Sequence, residues 1–281
     1  MFGIHVRKGD RDDLYDAIIE DIDKLDINVA QIFTHGPQNR SKNNIKFDEV
    51  AKLNIPIYVH ATYLSSIWDM KDAALGHVYD QLKVCAQIRA EGFVIHLRKS
   101  HIPDVIKVVK ELIKNSQGQK IILEAPAMLS SPLSYESPER INELILEISK
   151  FATPDQIGIC IDTSHETSGG IKLQTYAEVK EFFNQIKYPT YISLIHLNGT
   201  SFPLGSGKDC HEVIFSKNDL IWGKYKSRRS SHSKNIYNSG VAYIVKFCKK
   251  YKIPIILEVN REIDGDTHNA LKRLRLIYKS F

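Results

Sequence analysis

IPIILEV, Ile253 to Val259, is almost continuously apolar and carries a single acid, Glu258, near its end; IILE, Ile121 to Glu124, has the same form and ends on Glu124. Strands read this way when both faces are covered, as in a parallel sheet held between an inner core and an outer layer of helices. Working outward from these two, similar short runs occur at Phe2 to Val6, Asn28 to Phe33, Pro56 to His60, Gly92 to His96, Gly158 to Asp162 and Tyr191 to Leu197; with Lys120 to Glu124 and Pro254 to Val259 they make eight. Between them lie helical patterns with apolar residues at three and four, among them Asp12 to Leu25, Ala73 to Ala90, Pro138 to Phe151, Tyr176 to Ile186 and Thr267 to Tyr278. Ser137 before Pro138 marks a helix start, and Asp266 or Thr267 suits the cap of the last helix. Strand and helix alternating eight times predict α/β architecture, a single (β/α)8 TIM barrel domain over residues 1–281 with its site at the C-terminal ends of the strands.

Composition narrows the class. The chain of 281 residues is 43% hydrophobic, within the range one such barrel fills. No apolar run approaches the roughly 18 positions that span a bilayer, so no membrane partner is expected. MFGIHVRKGD lacks a secretory leader's pattern, which predicts an intracellular protein, in cytoplasm, nucleus or virion. Cys85, Cys160, Cys210 and Cys248 are scattered without a C-x-x-C pair and are expected as free thiols. The formal charge of +5 is mild. From Leu220 to Gly240, however, there is no acid, while Lys224, Lys226, Arg228, Arg229 and Lys234 crowd a Ser-rich stretch within the long connection from Gly199 to Asn238. Such a run is either a solvated loop or a grip on nucleic acid.

The positions of the ionisable residues carry most of the functional reading. His60, His96, Glu124, Asp162, His196 and Glu258 fall at or near predicted strand ends, which converge at a barrel mouth. His165 follows Asp162 by three, and Asp209 and His211 lie in the long loop. A lone strand-end histidine is ordinarily a hydrogen-bonded structural residue, but five of the eleven histidines beside four carboxylates form the donor set that suits zinc, with manganese or iron as competitors. Nine donors exceed the needs of one ion. Two or three are implied, and paired metals suit in-line displacement at a phosphodiester.

These residues resemble the endonuclease IV family of apurinic/apyrimidinic endonucleases along nearly the whole chain. GICIDTSH, Gly158 to His165, is similar to the family's G-[IV]-C-[LIVM]-D-T-[CA]-H, with Ser164 the exception. VHATYL from Val59 resembles VHASYL, IILEAP carries the expected Glu124, and HLNG at His196 to Gly199 is similar to HLND. KDCH, Lys208 to His211, stands for D-R-H, and ILEVN, Ile256 to Asn260, for the ILET strand. The resemblance implies one zinc held by His60, His96 and Glu124, a second by Glu124, Asp162, His196 and Glu258, and a third by His165, Asp209 and His211, with Glu124 and Glu258 central to catalysis. It implies DNA repair by incision of duplex DNA 5′ to an abasic site, leaving a 3′-hydroxyl and a 5′-deoxyribose phosphate, with 3′-repair diesterase activity besides, and a monomer. Tyr63 matches an inserted aromatic, and FTHGPQNR, Phe33 to Arg40, puts Gln38, Asn39 and Arg40 near the lesion.

Three departures stand out. The family's HPGSH is replaced by His96-Leu97-Arg98-Lys99-Ser100-His101, so that Arg98 and Lys99 either grip phosphate or pair with rim carboxylates, and His101 either binds or caps a helix. Gly199 replaces an acid expected to orient ligands. The segment after KDCH, through residue 234, is longer and more basic than the bacterial pattern and resembles the branch encoded by large DNA viruses. Two rivals remain at this level: a sugar isomerase or epimerase of the xylose-isomerase type using Glu124, Asp162, His196 and Glu258, and a DNA-binding scaffold with a structural metal cluster.

Overall fold

The computed structural model describes residues 1–37, 41–226, 234–259 and 266–281. Eight parallel strands, β1 (Phe2–Val6), β2 (Ala30–Phe33), β3 (Ile57–His60), β4 (Gly92–His96), β5 (Ile121–Glu124), β6 (Ile157–Asp162), β7 (Ile192–His196) and β8 (Ile255–Leu257), close into a barrel. The last strand returns to the first with Phe2 opposite Ile255 and Ile4 opposite Leu257. Outside them pack α1 (Leu14–Leu25), α2 (Phe47–Val50), α3 (Asp72–Gln87), α4 (Ile102–Lys114), α5 (Pro138–Ile148), α6 (Thr163–Ser168), α7 (Tyr176–Gln185), α8 (Gly240–Tyr251) and α9 (Asp266–Lys279). The expected (β/α)8 barrel is therefore the fold. Strand and helix ends agree with the sequence expectation or differ from it by up to three residues, as element termini commonly do.

Local chemistry explains several boundaries. Ser137 caps α5 by accepting from Arg140 N, with Pro138 in the first turn. Thr175 and Glu178 form a reciprocal capping box at α7. His101 occupies the position before α4 but its side chain makes no capping bond, which corrects the capping alternative. The stretch with turn composition contains a two-residue parallel ladder, Tyr225–Lys226 beside Lys234–Asn235, so it is not irregular throughout.

Strand alternation sets the depth of everything that follows. Val29, Tyr58, Val94, Ile122, Cys160, Leu194 and Ile256 form a cluster of their own, separate from the larger core between strands and helices. Side chains on a strand alternate faces, so the residue two further along points to the same side. Two residues on from these seven come Gln31, His60, His96, Glu124, Asp162, His196 and Glu258. An apolar layer thus fills the lumen, each full burial of such a side chain being worth about 1.5–3 kcal/mol, and the polar layer stands directly on it. The four cysteines are free thiols, as expected, and all but Cys210 are buried. Among the described residues no helix is long and apolar enough to cross a membrane.

Candidate metal centre

Glu124 lies at the middle of the polar layer, fully buried at the end of β5. Its Oε2 is 3.2 Å from His60 Nε2 and 3.2 Å from His96 Nε2, while its Oε1 is 2.9 Å from His196 Nδ1 and 3.4 Å from His165 Nδ1. Glu258 Oε2 stands 3.2 Å from His196 Nδ1 and 3.7 Å from His211 Nδ1. Asp162 ends β6 and also caps α6, where its Oδ1 accepts from Ser164 N at 2.7 Å and His165 N at 3.1 Å; its Oδ2 lies 3.6 Å from His211 Nε2. Asp209, largely exposed, brings Oδ1 to 3.3 Å from His211 Nε2 and 3.5 Å from His165 Nε2. The fold therefore draws all nine donors named from the sequence into one continuous cluster.

Among the described residues the donor atoms fall into sets whose members lie within 4.8 Å of one another: His60, His96 and Glu124; Glu124, Asp162, His196 and Glu258; Asp162, His165 and His211; and Glu124, Cys160 and His196. The hydrogen bonds behind the rings test whether these sets suit a metal ion. His60 Nδ1 donates to the Ala61 carbonyl at 2.8 Å, so the proton of a neutral ring sits there and the Nε2 lone pair faces Glu124. His196 Nε2 donates to Gln31 Oε1 at 2.8 Å, leaving Nδ1 facing both Glu124 and Glu258. A lone pair aimed at a buried carboxylate is repelled unless a proton or a cation lies between. Fixing one ring nitrogen so that the other is offered forward is how metal-binding histidines are oriented, and the residues present fit such an ion.

The electrostatics tell the same story. Burial alone pushes the His165 imidazole down, but Asp162, Asp209 and Glu124 raise it to about 10. Burial likewise opposes the charge on Glu124, yet the imidazoles of His196 and His96 hold its carboxyl well below the usual range. A nest of buried carboxylates demands positive charge. His5, also in the lumen, goes the other way: burial lowers it to about 4, against the pull of Glu258, so it stays neutral.

Three supporting residues carried no assignment from the sequence. Gln31, on β2, accepts from His196 and donates to Glu258 Oε1 at 2.6 Å and to His5 Nδ1 at 3.0 Å. Asn198 donates to Asp162 Oδ2 at 2.6 Å and accepts from Glu258 N at 2.8 Å. The available signal was a polar residue within an otherwise apolar strand, Gln31 in NVAQIF and His5 in FGIHV.

The rim is less uniform. Tyr63 is half exposed, its ring centroid 5.0 Å from that of His96, 5.6 Å from His60 and 5.9 Å from Phe33, so it overhangs the cluster. Beside it a cleft of roughly 360 Å³ opens between Tyr63, Trp68, His96, Arg98 and Met128. Arg98 is paired with Asp69 at 2.7 Å, and Lys99 donates to the Leu129 carbonyl at 2.7 Å. Arg98 thus has a carboxylate partner of the kind the rim-charge alternative expected, whereas Lys99 is held by a backbone carbonyl instead. Lys224 and the backbone of Lys226 are described, whereas Gln38, Asn39, Arg40, Arg228 and Arg229 lie outside the described residues.

Comparison with known proteins places this geometry. The family model for xylose isomerase-like TIM barrels matches residues 19–225. A probable AP endonuclease of African swine fever virus (isolate Tick/Malawi/Lil 20-1/1983) is 31% identical over 265 residues, covering 90% of this chain and 86% of the relative. A probable endonuclease 4 of Nitrosopumilus maritimus is 25% identical over 285 residues, covering 92% and 94%. Among solved structures, the crystal structure of AsfvAP:AG has a TM-score of 0.83 at 26% identity, over 100% of this chain and 98% of that one.

Proposed function

From the premise that the chain belongs to the endonuclease IV family of xylose isomerase-like TIM barrels, we propose that it is an apurinic/apyrimidinic endonuclease that cuts duplex DNA on the 5′ side of an abasic site. Incision leaves a 3′-hydroxyl and a 5′-deoxyribose phosphate, and the same centre trims blocked 3′ ends. The protein acts as a monomer of one barrel domain, inside the cell. The observation that carries this reading is the Glu124 carboxylate touching His60 and His96 through one oxygen and His165 and His196 through the other.

Three zinc ions fit the donors: one with His60, His96 and Glu124, one with Glu124, Asp162, His196 and Glu258, and one with His165, Asp209 and His211, with manganese or iron as alternative occupants of one site. When bound, such ions supply Lewis acidity to a phosphoryl oxygen and acidify the attacking water. The rest falls to the chain itself. Glu124 bridges two sets of donors. Gln31 holds His196 and Glu258 in register with each other, and Asn198 does the same for Asp162 and Glu258. Buried side chains held this way need no rearrangement as charge develops at phosphorus. Tyr63, overhanging the cluster, would fill the gap left by a flipped abasic nucleotide, and the family resemblance assigns Gln38, Asn39 and Arg40, outside the described residues, to the same lesion. Arg98, Lys99, Lys224, Lys226, Arg228 and Arg229 supply cations along the DNA path.

A sugar isomerase would use Glu124, Asp162, His196 and Glu258, which do form one of the donor sets. It has no use for His60 and His96 on the other oxygen of Glu124 or for the Asp209 and His211 pair, and these favour the nuclease over it. Glu258→Gln tests the assignment: incision is expected to fall by about 100- to 1,000-fold with the fold intact, and full activity in that variant would remove Glu258 from the site.

A further inference from the structure

The segment after β7 departs from the family motif HLND at one position, Gly199, yet a carboxylate stands there. A Cβ built on Gly199 would lie 2.6 Å from Asp219 Cγ and 2.7 Å from its Oδ1. The place where a side chain at position 199 would begin is thus filled by Asp219, which arrives from the long loop and is 4% exposed. Its Oδ2 accepts from Phe215 N and its Oδ1 from Ile221 N, both at 2.9 Å.

The contacts run from there to the donor cluster. Leu220 N donates to the Thr200 carbonyl at 2.8 Å, tying the loop of Asp219 to the turn at Gly199 and Thr200. Gly199 exchanges two backbone hydrogen bonds with Glu212, at 2.8 and 3.0 Å, and Glu212 is the neighbour of His211. On the other side of Gly199 stands Asn198, whose amide holds Asp162 and the Glu258 backbone. The buried carboxylate thus shapes its own loop against the turn from which both Asn198 and His211 are presented, by close approach at Gly199 and through the Leu220–Thr200 bond. Removing it would leave the buried N–H groups of Phe215 and Ile221 without an acceptor.

We propose that Asp219 is a positioning residue for the metal centre, a carboxylate delivered by the loop into the place the family motif fills from position 199, acting through Gly199 and Thr200 on Asn198 and His211. This rests on reading the cluster as a metal centre. It explains why Gly199 is small: an acid there would collide with the one already supplied.

The test compares the parent with Asp219→Ala, Gly199→Asp and the double variant Gly199→Asp/Asp219→Ala, each stripped with chelator and titrated with zinc while the zinc-induced rise in Tm is followed. Asp219→Ala is expected to lose at least about tenfold in zinc affinity, the size typical of losing a group that orients ligands. Gly199→Asp alone is expected to lose affinity through the clash, and the double variant to recover to within about threefold of the parent. Asp219→Ala titrating like the parent, or a double variant no better than Asp219→Ala, overturns the proposal. Should Asp219→Ala not fold, the double variant decides: folded and zinc-binding supports the proposal, unfolded contradicts it. A parent whose Tm does not respond to zinc defeats the metal-centre reading itself, whereas a responsive parent with an indifferent Asp219→Ala defeats only this inference.

Discussion

Gln31 Oε1 accepts the Nε2 proton of His196 at 2.8 Å, while the same amide's nitrogen donates to Glu258 at 2.6 Å. One side chain on β2 thereby sets both the tautomer of a histidine on β7 and the rotamer of a glutamate beyond β8. Gln31→Leu keeps much of the volume and deletes both bonds. Zinc affinity, read by titration against a competing chelator, is expected to fall about 10- to 100-fold; an unchanged affinity would show that the tautomer is fixed some other way.

Tyr63 overhangs His60 and His96 with half its surface exposed. Tyr63→Ala is expected to weaken binding to an abasic duplex by about tenfold, since stacking of an aromatic on a base is worth roughly 1–3 kcal/mol. Intact duplex should bind as before, and Tm should drop by only a few degrees. Equal weakening for both duplexes would mean that the ring supports the rim rather than reading the lesion.

The basic stretch makes a separate prediction. Neutralising Lys224, Lys226, Arg228 and Arg229 together should flatten the dependence of log K on log salt by about 0.9 for each DNA phosphate that these cations had neutralised. An unaltered slope in binding isotherms across a salt series would return this segment to the status of a solvated loop.

Away from the site, Asp21 on α1 is 1% exposed, and burial raises its carboxyl to about 6, with Arg11 and Lys24 pulling it down. A folded-state value above the unfolded 3.8 means that the folded protein holds the proton more tightly. The stability this contributes is present below about pH 4 and is lost as pH rises through about 6, amounting to about 2–3 kcal/mol at most. Asp21→Asn should therefore melt at higher temperature than the parent at pH 7.5, the gap closing near pH 4. A constant gap across that range would show that Asp21 is not perturbed.

Much of this was legible in the sequence because a parallel barrel writes its register plainly. Continuous apolar runs such as IILE mark strands covered on both faces, and convergence at the mouth turns dispersed residues such as His60 and Glu258 into neighbours. What periodicity does not encode is contact between loops. Asp219 filling the space above Gly199 depends on how the 213–223 segment folds back, and no spacing rule leads from one to the other. The role of Gln31 was hidden differently, since a glutamine in a short strand carries no ligand chemistry of its own and gains meaning only from the rings it faces. The partners of Arg98 and Lys99 were left open for the same reason: Asp69 and the Leu129 carbonyl approach from the preceding and following loops.

The nuclease assignment meets its sharpest test on a labelled duplex carrying one stable abasic analogue, incubated with the protein with and without chelator, and with Glu258→Gln in parallel. A single nick is expected on the 5′ side of the analogue, abolished by chelator, restored by added zinc and absent in the variant. No nick, or one that neither the chelator nor the substitution affects, would contradict the assignment.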